Sequence, residues 1–138
     1  MRYIGLVLSI LVFSPFAFAT DDNTALIQTQ NFMRDQTERD EYIKNHPDAK
    51  NADVVVERTV NNNPKAKNEM YGAAADIMGT LQKTSGGDTA KMQDQLDEGL
   101  KNPEKFIQSL PPEQQAQIRA IANEVGQRNA QANHNFKP

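Results

Sequence analysis

Residues 61–87 read NNNPKAKNEMYGAAADIMGTLQKTSGG, and their punctuation decides the fold class. Asn63 before Pro64 marks a helix start. An asparagine side chain caps the first free N–H groups, and proline at the first helical position lacks an N–H that would have no partner there. Met70, Ala74, Ile77, Met78 and Leu81 then recur at i, i+4, i+7, i+8 and i+11, which is one face of a helix. Ser85-Gly86-Gly87 ends it, because glycine readily takes the left-handed conformation that closes a helix.

The same logic repeats downstream. Asp88 caps a segment whose stripe is Met92, Leu96 and Leu100, with acids and glutamines opposite. Asn102 and Pro103 restart the chain at NPEKFIQSL, which buries Phe106, Ile107 and Leu110. Pro112 opens the last helix, with Ile118, Ile121, Ala122 and Val125 facing inward. About four helical pieces joined by short turns over residues 63–127 predict an all-α protein, a small helical bundle. Residues 128–138, ending in NHNFKP, read as a disordered tail.

Upstream, residues 20–62 read as an N-terminal helical or partly mobile arm. Leu26, Ile27, Phe32, Met33, Tyr42 and Ile43 drift around a single continuous helix, so no one face stays apolar. Val54 to Val56 favour a strand by propensity, yet Ala52, Val55, Val56, Thr59 and Val60 share a helical face. With no partner strand elsewhere, helix is the expectation.

The first nineteen residues have the pattern of a secretory leader: Arg2, an apolar run, then Ala17-Phe18-Ala19 with small residues where a signal peptidase cuts. The expected mature chain begins near Thr20, has 119 residues and resides in the periplasm or outside the cell. Without Arg2 it carries fourteen basic and eighteen acidic residues. That balance argues against nucleic acid or an anionic lipid surface as a partner, because a mildly acidic chain neither steers nor neutralises a polyphosphate. There is no cysteine, so disulfides, thiolate catalysis and cysteine metal sites are excluded. Large apolar residues number only 25 in the mature chain, a thin core for its length, and a homo-oligomer or a partner that completes it is the expectation. No stable membrane insertion is expected after cleavage.

Catalytic patterns are sparse. Ser85 and Ser109 sit at helix boundaries, without a nucleophile elbow. His46 and His134 lack the spacing of a metal pair, and Asp94, Asp97 and Glu98 lack a calcium-loop glycine. Glu69 and Glu124 adjoin apolar positions, the setting in which a single carboxylate serves a cell-wall hydrolase; both also fit the polar flank of an amphipathic helix. The expectation is a non-enzymatic exported protein without cofactor. Its partner would be another envelope protein or an unfolded client, bound as chaperone, adaptor or inhibitor.

Four methionines accompany only five leucines after the leader. Methionine suits adaptable apolar surfaces as well as irregular cores, so Met70, Met78, Met92, Leu96, Phe106 and Ile107 are the candidate protein-binding residues. LPPEQQAQI at 110–118 also resembles the Leu-Thr-x-x-Gln signature of the Spy/CpxP-like family of periplasmic helical stress proteins. Leu110 and Gln114 match its ends; Pro111 stands where the family has threonine, and a second copy of the signature is absent. The resemblance covers about nine residues. It implies an ATP-independent chaperone, a cradle-shaped helical dimer whose apolar concave side holds unfolded clients.

Overall fold

The computed structural model describes residues 23–134. The expected leader, residues 1–19, lies outside them. The described chain is helical throughout, with seven helices: α1 (Asn23–Arg34), α2 (Gln36–Asn45), α3 (Pro47–Thr59), α4 (Pro64–Ser85), α5 (Thr89–Lys101), α6 (Pro103–Ser109) and α7 (Pro112–His134). The all-α class agrees with the sequence. The number of helices is larger than the expected four or so, because the segment before Asn63 adds three of its own.

The reason is Asp35. Its carboxylate accepts from the backbone N–H of Thr37 at 2.8 Å and of Glu38 at 3.0 Å, so it caps a new helix in the middle of the apparent arm. The break resets the helical phase, which is why Leu26, Phe32 and Met33 drift relative to Tyr42 and Ile43. Pro47 starts α3 one residue past His46, and the valine-rich stretch is helical.

α4 is the axis of the molecule. α1 and α7 pack along it, α3 and α5 also touch it, α2 rests on α1 and α3, and α6 rests on α5. A helix surrounded on so many sides needs small residues. Ala73, Ala74 and Ala75 are all buried, together with Ala66, Met70, Tyr71, Ile77, Met78 and Leu81. At Gly79 an added Cβ would lie 3.6 Å from the side chain of Gln30, so α1 already lies close to α4 there. Each buried leucine, isoleucine or methionine in this core contributes about 1.5–3 kcal/mol by leaving water.

The ends of α4 are built as the sequence requires. Asn63 accepts from Lys65 N–H at 3.1 Å, and Gly86 closes the helix at φ 67°. Asp88 caps α5 through Lys91 N–H at 3.1 Å. Asn102 departs from expectation: it occupies the junction before α6, but its side chain makes no capping bond. Between α3 and α4 the chain turns through Asn61 and Asn62, both left-handed with φ 53° and 55°, a conformation asparagine tolerates better than most residues.

Gln114 and Leu110 acquire a structural explanation. The Gln114 amide donates to Asp76 O at 3.0 Å and Thr80 Oγ1 at 2.8 Å, pinning the first turn of α7 to α4. Leu110 is buried at the corner between α6 and α7. The helix then continues to His134, so residues 128–134 of the expected tail are helical, and 135–138 lie outside the described residues.

Candidate functional site

The six candidate protein-binding residues separate in the structure. Met70, Met78, Met92 and Leu96 are 1–2 % exposed, deep between α4 and its neighbours. They fill the interior and present nothing to a partner in this conformation. Phe106 and Ile107 are different: each lines a groove on the C-terminal half of the molecule.

Ile107 belongs to a groove of about 740 Å³ between α6 and α7. Ile107 and Ile118 form its floor and are themselves buried, so its open surface follows Ala122, Gly126 and Ala130 at four-residue intervals, with Glu104 and Arg119 at the rim. The spacing puts the three small residues on one stripe of α7. A Cβ at Gly126 would meet nothing within 4 Å, so this stretch of α7 is open. Phe106 lines a second groove of about 470 Å³ where α4, α5 and α6 meet, with Leu81, Leu110 and Thr84.

The N-terminal half holds a feature of opposite chemistry, which sequence reading did not find. Arg39 on α2 is 1 % exposed, although its surroundings in sequence, QTERDEY, are polar throughout. Its guanidinium donates to Met33 O at 2.7 Å and to Asn68 Oδ1 on α4. It also lies over the ring of Tyr71 with 4.3 Å from Cζ to the centroid, a cation–π contact. Tyr71 in turn donates its hydroxyl to Asp53 on α3 at 2.9 Å. The other oxygen of Asp53 accepts from Lys67 at 2.7 Å, and Lys67 also reaches Glu57 at 2.8 Å. Four helices, α1 to α4, are thus joined by one chain of contacts.

Two titrations follow from this arrangement. Burial works against the Lys67 ammonium, but its hydrogen bonds to Asp53 and Glu57, aided by their charges, hold it above its ordinary value. Burial pushes the Tyr71 phenol up, and the charge of Asp53 and its hydrogen bond add to the rise. Above this network, between α2, α3 and the start of α4, is a cavity of about 640 Å³.

Ser85, Ser109, Glu69, Glu124, Asp97, Glu98 and His46 have ordinary structural partners. Ser85 Oγ donates to Gln82 O and Ser109 Oγ to Phe106 O, bonds that trim helix ends. Glu69 pairs with Lys65 along α4 at 3.4 Å. Glu124 accepts from Asn63 at 3.0 Å and Arg128 at 3.2 Å, which ties α7 to the start of α4. Asp97 accepts from Gln93 and Glu98 pairs with Lys101, both on the surface of α5. His46 stacks on Tyr42 at 3.8 Å and contacts its carbonyl through Nδ1 at 2.9 Å, at the end of α2. Among the described residues no group of three or more histidines and acids is placed to hold a metal ion, and no helix is long and apolar enough to cross a membrane.

No protein-family model, no curated protein and no solved structure matches this chain.

Proposed function

We propose that this chain is an exported, non-enzymatic protein that binds another envelope protein, receiving an apolar helix from that partner in the groove between α6 and α7. The observation that carries the reading is the stripe Ala122–Gly126–Ala130 flanked by Ile107 and Ile118. Small residues at four-residue intervals leave a channel into which a helix sets bulky residues of matching spacing. Glu104 and Arg119 at the rim fit a partner whose flanks carry both signs of charge. The apolar leader pattern supports export, and the burial of Met70, Met78 and Met92 favours α6 and α7 over the methionines as the binding surface.

The test uses Gly126→Leu, which fills the groove from a position with open space around it and improves helix propensity. A photo-crosslinker at the exposed Asn123 of the exported full-length protein captures one defined periplasmic partner in the wild type. Gly126→Leu abolishes that crosslink while the melting temperature stays at or above the wild-type value. A crosslink that persists in the variant, or a partner that attaches only at α1–α3, removes the groove from consideration. Suppression of client aggregation by the wild type, lost in the same variant, would select the chaperone form of the reading.

A further inference from the structure

We propose that the cavity between α2, α3 and the first turns of α4 binds a small anionic carbohydrate, a sugar acid or a sugar phosphate. The argument begins with charge. The whole chain is acidic, at net −3, yet this cavity is lined by Arg39, Lys44, Lys50 and Lys67 against Asp40, Asp53 and Glu57. Lys67 is matched by Asp53 and Glu57. Among the described residues, Arg39, Lys44 and Lys50 enter no ion pair. Asp40 is the one other acid of the wall, which leaves an excess of positive charge in an otherwise acidic molecule.

The cations are graded in depth. Arg39 forms part of the inner wall, held rigidly by Met33 O, Asn68 and the Tyr71 ring. Its Nε is buried and has no hydrogen-bond partner. A guanidinium removed from water is poorly screened, so it projects a positive potential into the cavity without moving. Lys44 and Lys50 are exposed at the mouth, where flexible ammonium groups meet an incoming carboxylate or phosphate directly.

Amides give the second half of the assignment. Gln36, Asn62, Asn63 and Asn68 line the same cavity; Asn63 and Asn68 are bonded to Lys65, Glu124, Arg39 and Gln36, so the Asn62 side chain and the amide nitrogen of Gln36 are the groups turned to a ligand. An amide both donates and accepts, which matches a hydroxyl that does the same. A volume of about 640 Å³ lies in the range of small-molecule sites.

The experiment is a titration of the full mature chain, followed by backbone amide NMR, with glucuronate, glucose 6-phosphate, glucose and inorganic phosphate as separate probes. At least one of the two anionic sugars is expected to shift the amides of Lys44, Lys50, Asn62 and Asn68 at millimolar concentration. Glucose and inorganic phosphate are expected to bind about tenfold more weakly, and the double variant K44Q/K50Q to lose about tenfold in affinity. Both lysines are exposed, so the variant folds as the wild type does, and Gly126→Leu leaves the titration unchanged. The proposal is overturned by absence of shifts at these residues, by equal response to glucose, or by full affinity in K44Q/K50Q. Inorganic phosphate binding as tightly as the sugar phosphate overturns the carbohydrate assignment.

Discussion

The two layers that flank α4 are held to it by different forces. On the C-terminal side, Met92, Leu96, Ile107, Leu110, Ile118, Ile121 and Val125 bury apolar surface, with Gln114 as a polar pin. On the N-terminal side, Met33, Val56 and Val60, with Leu26 and Phe32 beside them, share the contact with Asp53, Lys67 and Tyr71, which are joined by hydrogen bonds, and with Arg39 over the Tyr71 ring. Apolar burial is non-directional and tolerates repacking, whereas a buried polar network holds only when every member is present. The difference predicts that the N-terminal layer is the more specific in geometry and the more fragile to single changes.

Asp53→Ala is the sharpest way to break this contrast. It leaves Lys67 with Glu57 alone and the Tyr71 hydroxyl without its acceptor, each loss costing about 1–3 kcal/mol. Hydrogen exchange should show α2 and α3 losing protection while α5 to α7 keep theirs. Equal loss across the molecule would mean that the layers do not differ. Met92→Ala tests the other side: the cavity it leaves costs about 2–5 kcal/mol, and denaturant unfolding should show this loss with exchange focused on α5.

Alkaline titration separates the layers without mutation. The folded-state values of Lys67 and Tyr71 are both raised. Their contribution is complete below the unfolded values, near 10 for tyrosine and lysine, and is lost as the pH rises through the folded ones. Stability measured by chemical unfolding should therefore hold up to about pH 9.5 and decline above about pH 10, with α2 and α3 opening first. An α5–α7 layer that opens first at high pH would contradict the assignment. The smallest effect is expected at Arg34, whose pair with Asp76 at 2.6 Å is roughly half exposed. Arg34→Ala should cost at most about 1 kcal/mol in a melting curve, and less at high salt.

The contrast also explains what could be read in advance. Asn63, Pro64, Gly86, Asp88 and Pro112 act through local rules of capping and chain reversal, so the boundaries of α4, α5 and α7 were legible from a few residues each. Asp35 obeys the same capping rule, but it sits inside a stretch of helix formers, and the broken apolar stripe was its only visible trace. Arg39 left no trace. Its burial depends on Asn68 and Tyr71, about thirty positions away, and on the turn at Asn61 and Asn62 that brings α3 beside α4. Ile107 was legible as an apolar face, but the open stripe of α7 was not, because Ala122, Gly126 and Ala130 resemble ordinary helix filler. The methionines illustrate the ambiguity of residue type: flexible side chains suit a groove and an interior equally, and only packing decides.

Three adjacent alanines on α4 carry a consequence for sequence change. Ala73, Ala74 and Ala75 are each at most 1 % exposed. Consecutive helical residues point about 100° apart, so the three methyl groups face different neighbours. On an ordinary amphipathic helix at least one of three successive positions accepts a large or charged residue freely. Here a saturation scan should find none that does: enlargement at each position wedges a different helix away from the axis. The stretch would show up as a continuous block of intolerance, with a pattern closer to that of a helix crossing the middle of a large protein than to anything expected in a chain this short.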